Sequence, residues 1–522
     1  MSAFILSLSA ASVNRRVGAY APKRISDKVK SRLQILFGKD ILEKNASAFS
    51  SGRFAEKLHF LRKEEYPMNS AFDTYFTGLK NKKIAVLGLG VSNRPLVRLL
   101  LEYGCDVVGC DRTPREKLDA EVLELEAMGC RLHVGDGYLD DVEADILFRT
   151  PGMHPNNPAI ETLRSRGAEV TSEMEAFFEV CPCPIIGVTG SDGKTTTTTL
   201  ISEMLKAEGK TVWLGGNIGT PLLPLVRQMQ ETDIAVVELS SFQLMDMKRS
   251  PQRAVVTNLA PNHLDIHKDM QEYVDAKKNI FRYQDGSGLL VLNADNDITA
   301  AFRGNGTTRF FSRKGMAYVC IEDGVICRNG KPILPTKDIL IPGVHNVENY
   351  MAATAVVEGL VSDETIRHVA ETFGGVEHRI ELVRVKDGVR FYNDSIASSP
   401  SRTIAGLRSF KEKVILIAGG YDKHIPFDVL GPEVVERVKL LVLCGATAGK
   451  IRAAVEQAPG YRPGRPEIVE VMPFEKAVLY ARDKAQSGDV VTLSPACAAF
   501  DQFKNFAERG KTFKAIVNGW AE

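Results

Sequence analysis

Residues 187 to 196 read Gly-Val-Thr-Gly-Ser-Asp-Gly-Lys-Thr-Thr, directly after the apolar run Pro184-Ile185-Ile186 and directly before a helical pattern with Leu200, Ile201, Met204 and Leu205 on one face. Such a segment can bind a polyphosphate. Gly190 and Gly193 let backbone N–H groups turn toward phosphate oxygens, with Ser191, Asp192 and Thr196 completing the loop. Lys194 adds a cation, Thr195 offers a hydroxyl to Mg2+, and the helix N-terminus favours anions. Gly187 stands one place before the usual first glycine, whose position Val188 takes. Strand, loop, Lys-Thr and helix still follow in the order that predicts use of ATP.

Other residues in the middle of the chain could join that chemistry. Glu238 ends the apolar run Ile234-Ala-Val-Val-Glu, and a carboxylate at the C-terminal edge of a parallel strand beside a phosphate loop is where a Mg2+ ligand is expected. The following Ser240-Ser-Phe-Gln243 reads equally as a substrate contact or as a helix cap. Asn262-His-Leu-Asp-Ile-His267 spaces two histidines four apart. Zinc would need a helix there and a third ligand, so His263 is read instead as a loop residue supporting Mg2+ or substrate, and His267 as a surface residue. Lys277 and Lys278 fall in an ordinary amphipathic stretch whose pattern leaves both solvated. Nearer the N-terminus, Gly88-Leu-Gly-Val-Ser-Asn93 follows a strand and opens a helix, and Asp111 ends the next strand. This is either a nucleotide-binding turn with an acidic ribose or base partner, or a structural turn. Asn93 replaces the third glycine of the dinucleotide fingerprint, so NAD is poorly supported.

From residue 68 onward, short β-branched runs alternate with helical patterns, which predicts an α/β protein of parallel sheets with crossover helices. At roughly 150 residues each, a chain of 522 accommodates about three domains. Strands are expected near 83–88, 106–111 and 145–149, then around the phosphate loop, and again near 413–418, 439–444 and 490–494. The predicted domains are 68–172, 173–375 and 376–522. With 66 basic against 65 acidic residues, no global field would hold nucleic acid or an acidic membrane. No apolar run reaches about 18 residues, so no membrane span is expected. Nine scattered cysteines suit reduced thiols in a cytoplasmic protein, and Cys181 and Cys183 are too closely spaced for a zinc pair. Residues 3–12 are mildly apolar but lack a basic leader, and read as an extension rather than a signal peptide. Lys63-Glu64-Glu65 can be encoded by AAG GAG GA, a ribosome-binding sequence at a sensible distance from Met68. The expectation is therefore that Met68 is the true start and that residues 1–67 are not part of the working protein.

The phosphate loop together with Gly215-Gly-Asn-Ile-Gly-Thr-Pro221, Glu238-Leu-Ser-Ser-Phe-Gln243, Gly343-Val-His-Asn-Val-Glu-Asn349, Glu377-His-Arg379, Asn393-Asp-Ser395, Gly419-Gly-Tyr-Asp-Lys423 and Leu493-Ser-Pro-Ala-Cys-Ala-Ala-Phe-Asp-Gln-Phe-Lys-Asn-Phe506 resembles the ATP-dependent Mur ligases. The resemblance runs in order over residues 78 to 518. It implies a three-domain Mur ligase architecture: a Rossmann-like UDP-binding domain, a P-loop ATPase domain, and a Rossmann-like C-terminal domain completing the nucleotide and amino-acid sites. It implies a monomer that joins D-glutamate to UDP-N-acetylmuramoyl-L-alanine through an acyl phosphate, using ATP and two Mg2+ ions.

By the same resemblance, Val91, Ser92, Asp111, Arg112 and Thr150 lie near the uridine or its phosphates, and Asn217 orients the muramoyl-alanine part. Lys194 contacts the β- and γ-phosphates. Thr195 and Glu238 hold one Mg2+, and His263 with a carbamylated Lys277 holds a second, His263 also steering the amine toward the UDP-linked substrate. Asn346, Asn349, Arg379 and Asp394 hold adenine and ribose, with capping of a helix start as the alternative for the two asparagines. Ser398, Lys423 and the backbone around Phe506 hold glutamate. Two positions depart from better-known members, which carry lysine where this chain has Ile396 and serine where it has Ala499. An L-glutamate-using relative therefore stays open, while the uridine-type first domain and Ser494-Pro-Ala-Cys-Ala498 argue against another Mur ligase or a folylpolyglutamate synthetase. Lys194, Glu238, His263 and Lys277 together argue against a non-catalytic sensor of nucleotide or UDP-sugar.

Overall fold

Runs rich in valine, isoleucine and leucine become the inner strands of three sheets among the described residues, because a parallel strand covered on both faces needs an unbroken apolar run. The computed structural model describes residues 70–263 and 266–521. The expected extension 1–67 and the start at Met68 lie outside the described residues, as do Leu264 and Asp265 of the histidine segment.

The first sheet holds β1 (Lys83–Leu87), β2 (Asp106–Asp111), β3 (Arg131–Val134), β4 (Ile146–Phe148) and β5 (Glu169–Thr171) in the order β3-β2-β1-β4-β5, all parallel. Strand order reverses between β1 and β4, which opens a crevice at their C-terminal ends. The glycine turn leading into α1 (Asn93–Glu102) and Thr150 both sit there.

The central sheet contains β6 (Ile185–Thr189), β7 (Val212–Gly216), β8 (Ile234–Glu238), β9 (Arg253–Val256), β10 (Leu289–Asn293), β11 (Thr307–Ser312), β12 (Val319–Glu322), β13 (Val325–Arg328) and β14 (Lys331–Pro335). Its order is β14-β13-β12-β11-β10-β9-β6-β8-β7. β6 is thus flanked by β8 and β9, and its C-terminal end is again a switch point. β12 to β14 form antiparallel hairpins that the sequence reading did not anticipate.

The third sheet comprises β15 (Glu381–Lys386), β16 (Val389–Asn393), β17 (Val414–Ala418), β18 (Val438–Leu443), β19 (Glu467–Glu470) and β20 (Val490–Leu493), ordered β15-β16-β20-β17-β18-β19. The strands expected near 83–88, 106–111, 145–149, 413–418, 439–444 and 490–494 are all present. One continuous core runs from Phe148 through Met174 and Phe177 of α2 (Glu173–Val180) to Leu223 and Val237, so the first and central sheets are packed together. The third sheet has separate clusters, one around Leu416 and Leu441 and one around Ile417 and Val442. No helix among the described residues is long and apolar enough to cross a membrane.

Candidate active site

The phosphate loop joins β6 to α3 (Lys194–Ala207), and its shape is enforced from outside. Gly190 and Gly193 both have positive φ. A side chain at Gly190 would collide with the Thr257 hydroxyl, and one at Gly193 with the Asn349 amide oxygen. The segment after β9 holds the loop from below: Asn258 Oδ1 accepts from the Asp192 N–H at 3.0 Å, and Thr257 Oγ1 donates to the Asp192 carbonyl at 2.6 Å. The Ser191 hydroxyl accepts from the Ala260 N–H at 2.9 Å and meets Tyr273 Oη at 2.8 Å. Of the loop hydroxyls, then, Ser191 braces the fold, while Thr195 and Thr196 remain partly open. Lys194 folds back to donate to the Ser191 carbonyl at 2.9 Å.

Glu238 is 1% exposed at the end of β8, in register with Val188 of β6. Its Oε1 accepts from Asn217 Nδ2 at 2.8 Å, whereas its buried Oε2 has no hydrogen-bond partner. A buried carboxylate oxygen left unsatisfied beside a phosphate loop fits a cation ligand, since such orphans are rare in native interiors. Asn217 is tied to the same residue twice, its own N–H donating to the Glu238 carbonyl at 2.8 Å.

Lys277 lies on α5 (Met270–Arg282), counting α4 as Ser241–Leu244, and is 2% exposed, so the solvated position its pattern suggested is wrong. Its Nζ donates to Thr189 Oγ1 at 3.1 Å and sits 4.9 Å from the centre of the Tyr273 ring. Burial and the Lys194 cation hold its amine well below the usual lysine range, against the pull of Glu238. Lys278, one residue on, pairs with Asp275 at 3.0 Å and stays partly solvated. Burial likewise lowers Lys194, partly offset by Glu238 and Asp192.

His263 is exposed, in a left-handed backbone conformation, with its ring edge-on to Phe242 at 5.0 Å. It shares no hydrogen bond with Lys277. His267, expected at the surface, is buried instead: it stacks on Phe242 at 5.3 Å, and its Nε2 meets Ser241 Oγ at 2.9 Å. Neither histidine is in a helix, which removes the basis of the zinc alternative. Ser240 and Gln243 form a reciprocal capping box, so this pair caps α4.

Of the adenine candidates, Asn349 lies against the loop at Gly193. α6 (Val344–Val356) begins after Gly343, and neither asparagine caps it. Asn346 Nδ2 donates to the Pro342 carbonyl at 2.6 Å, while Asn349 bridges Asn346 and Thr197 beside Gly193. Arg379, on an open surface of the third sheet's side, lies within electrostatic reach of Arg402, Glu238, Asp394 and Asp192. Asp394 is buried at the end of β16, where Ser494 Oγ donates to it at 2.7 Å. Burial pushes its carboxyl up to about 7 despite that bond and the Ile380 N–H.

In the first sheet's crevice, the Asp111 carboxylate accepts from the N–H groups of Leu89 at 2.8 Å and Thr113 at 2.9 Å. Burial raises its carboxyl, but these bonds outweigh it and hold it below the usual range. Asn93, where a third glycine was absent, donates to the carbonyls of Leu87 at 3.0 Å and Gly88 at 2.9 Å and ties the turn shut. Gly88 lies against Thr150, Ser92 precedes α1 without capping it, and Val91 and Arg112 are exposed.

The segments carrying the amino-acid candidates are tied together through neighbouring residues, and no hydrogen bond joins Ser398, Lys423 and Phe506 to one another. Ser395 Oγ donates to the Phe506 carbonyl at 2.7 Å, at the start of α7 (Phe506–Asn518). The Tyr421 N–H, two residues before the exposed Lys423, donates to the Ala498 carbonyl at 2.9 Å. Ser398 turns back with its N–H on the Ile396 carbonyl at 2.7 Å. Arg509, which sequence reasoning missed, is buried beneath all of this. Its guanidinium donates to Ser395, Cys497 and Ala498, and burial pushes it down to about 10.

A parallel α/β scaffold with a braced phosphate loop facing an unsatisfied carboxylate defines a nucleoside-triphosphate-using enzyme. Residues 188–357 match the Mur ligase middle domain, and residues 378–497 match the Mur ligase glutamate ligase domain. The UDP-N-acetylmuramoylalanine–D-glutamate ligase of Acetivibrio thermocellus is 54% identical over 463 residues, covering 86% of this chain and 99% of its own. That of Clostridium novyi is 50% identical over 460 residues, covering 86% and 100%. A solved UDP-N-acetylmuramate–alanine ligase from Thermotoga maritima shares the fold, with a TM-score of 0.52 at 18% identity over 84% of this chain and 99% of that one. The chain belongs to the Mur ligase family, whose members use ATP and Mg2+.

Proposed function

We propose that this protein joins the amine of D-glutamate to the alanyl carboxylate of UDP-N-acetylmuramoyl-L-alanine, forming ADP and phosphate. The observation that carries the reading is the unpartnered Glu238 oxygen facing the phosphate loop, with the buried amine of Lys277 behind Thr189. A carboxylate is a poor electrophile. Transfer of the γ-phosphoryl group to it breaks the bridging P–O bond of ATP and yields an acyl phosphate; the glutamate amine then attacks the acyl carbon, and phosphate leaves.

Catalysis of this kind is mainly positioning and charge neutralisation. Lys194 exchanges the Ser191 carbonyl for the β- and γ-phosphates. Thr195 and Glu238 hold one Mg2+, and His263 with carbamylated Lys277 a second. Mg2+, when bound, neutralises the phosphate oxygens. A Lys277 amine held neutral can add to CO2 with loss of a proton, turning a misplaced cation into an anionic oxygen ligand. Asn217 orients the muramoyl-alanine part, and His263 steers the amine. Asn346, Asn349, Arg379 and Asp394 take adenine and ribose; Val91, Ser92, Asp111, Arg112 and Thr150 take the uridine diphosphate; Ser398, Lys423 and the Phe506 backbone take glutamate. The functional domains on this reading are 68–172, 173–375 and 376–522. The working form is a cytoplasmic monomer, supported as to compartment by cysteines that are all free thiols.

L-Glutamate is the second reading, favoured by Ile396 and Ala499 in the acceptor region. Both are tested by incubating the protein with ATP, Mg2+, UDP-N-acetylmuramoyl-L-alanine and either enantiomer while following phosphate release. D-Glutamate-dependent release is expected. Faster release with L-glutamate overturns the acceptor, and no release with any amino acid overturns the ligase reading.

A further inference from the structure

Arg149 is the first residue after β4 and is 1% exposed. A guanidinium has five N–H donors in a planar fork, and here every one is used. Nε and Nη2 grip the two oxygens of Asp246 at 3.0 and 2.6 Å, and Nη2 also donates to the Phe242 carbonyl at 2.9 Å. Nη1 donates to the carbonyls of Thr150 at 3.1 Å and Met153 at 2.7 Å.

The two ends of this fork belong to different substrates' neighbourhoods. Thr150 packs against Gly88 in the first sheet's crevice, so one end fixes the loop proposed to hold uridine diphosphate. Phe242 follows Glu238 by a few residues and carries the ring against which His263 and His267 rest, so the other end fixes the wall of the phosphate-loop corner. The carboxylate pairing is bidentate and planar, a geometry that lysine or a neutral amide cannot reproduce. Glu272, which meets His154 at 3.3 Å and His267 at 3.5 Å, makes a second but partly solvated link between the two corners.

We propose that Arg149, clamped by Asp246, is a positioning residue that sets the span between the diphosphate-binding loop and the carboxylate-activating corner, and so selects a nucleotide-sugar whose reactive carboxylate reaches that span. The inference rests on the nucleotide-sugar reading of the proposed function. It predicts that breaking the clamp weakens the substrate bridging both corners, while ligands of one corner alone are spared.

The test uses the full chain with Asp246→Asn, which keeps size and one acceptor, and Arg149→Lys as a second variant. In each, KM for UDP-N-acetylmuramoyl-L-alanine should rise about tenfold, with KM for ATP and the Kd of uridine diphosphate alone within about twofold of the parent. Wild-type turnover of the nucleotide-sugar is measured alongside. Its absence sinks the proposed function, whereas normal turnover with unchanged nucleotide-sugar KM in the folded variants sinks the clamp. An equal loss toward ATP and nucleotide-sugar in both variants also overturns it, by showing general structural damage.

Discussion

The first and central sheets each carry a glycine turn at a switch point, with an acidic residue at the end of the neighbouring strand, yet the two corners differ in how their charges are satisfied. Both Asp111 oxygens accept from backbone N–H groups of their own domain. Glu238 leaves one buried oxygen without a partner, and Lys277 is buried with a hydroxyl for company and no carboxylate bonded to it. The first corner is complete as a fold. The second leaves buried polar groups incompletely satisfied beside the phosphate loop, an arrangement that fits a site for a ligand or a reaction. The same topology thus presents a satisfied carboxylate in one corner and an unsatisfied one beside a phosphate loop in the other.

The largest expected break comes from Lys194→Ala, which removes a cation where charge builds during phosphoryl transfer. Ligase and ATPase activity should fall together by about 10³-fold, and near-normal turnover would detach this loop from the chemistry. Lys277→Ala should cost about 10²-fold, with partial recovery in acetate, whose carboxylate can occupy the vacated space. Lys278→Ala should stay close to the parent. Full activity of Lys277→Ala in CO2-depleted buffer, or a dominant effect at Lys278, would remove the carbamate.

Asp111→Asn sharpens the contrast from the other side. Because Asp111 braces a binding turn, the substitution should raise KM for the nucleotide-sugar about tenfold with kcat little changed; a loss confined to kcat would make the two corners alike. Asp394, just past the end of β16, is shifted in the opposite direction from Asp111, since burial raises its carboxyl to about 7. A raised folded-state value confers stability that is full below the ordinary aspartate range and is lost as pH rises through about 7. Asp394→Asn should therefore gain in melting temperature relative to the parent as pH increases across that window, and a constant difference would show that the carboxyl ionises freely. The smallest effect belongs to Ala499→Ser, which restores a hydroxyl to the acceptor region and should lower KM for D-glutamate by about threefold. An unchanged value would place residue 499 outside the glutamate site.

Much of the scaffold was legible because parallel strands announce themselves. Ile234–Val237 and Val414–Ala418 are unbroken apolar runs, and the strands they form are buried at every position. The hairpins of β12 to β14 were legible too, and were overlooked: Asp323-Gly324 and Asn329-Gly330 all have positive φ, the conformation such pairs adopt in tight hairpin turns.

By itself the sequence determined the order of strands and helices, the phosphate loop and the place of Glu238, all of which depend on residues close together in the chain and on the period of apolar positions. Only the tertiary structure decided that Lys277 is buried while Lys278 is not, because a helical pattern records one solvated face and cannot tell which lysine meets Thr189 of a strand 88 positions away. The same holds for His267 stacked on Phe242, for Arg509 beneath the acceptor loops, and for Arg149, whose five donors reach across 97 residues to Asp246 as well as to carbonyls nearby. Burial and hydrogen-bond satisfaction are properties of what surrounds a side chain, and those surroundings are assembled from segments that the linear pattern keeps apart.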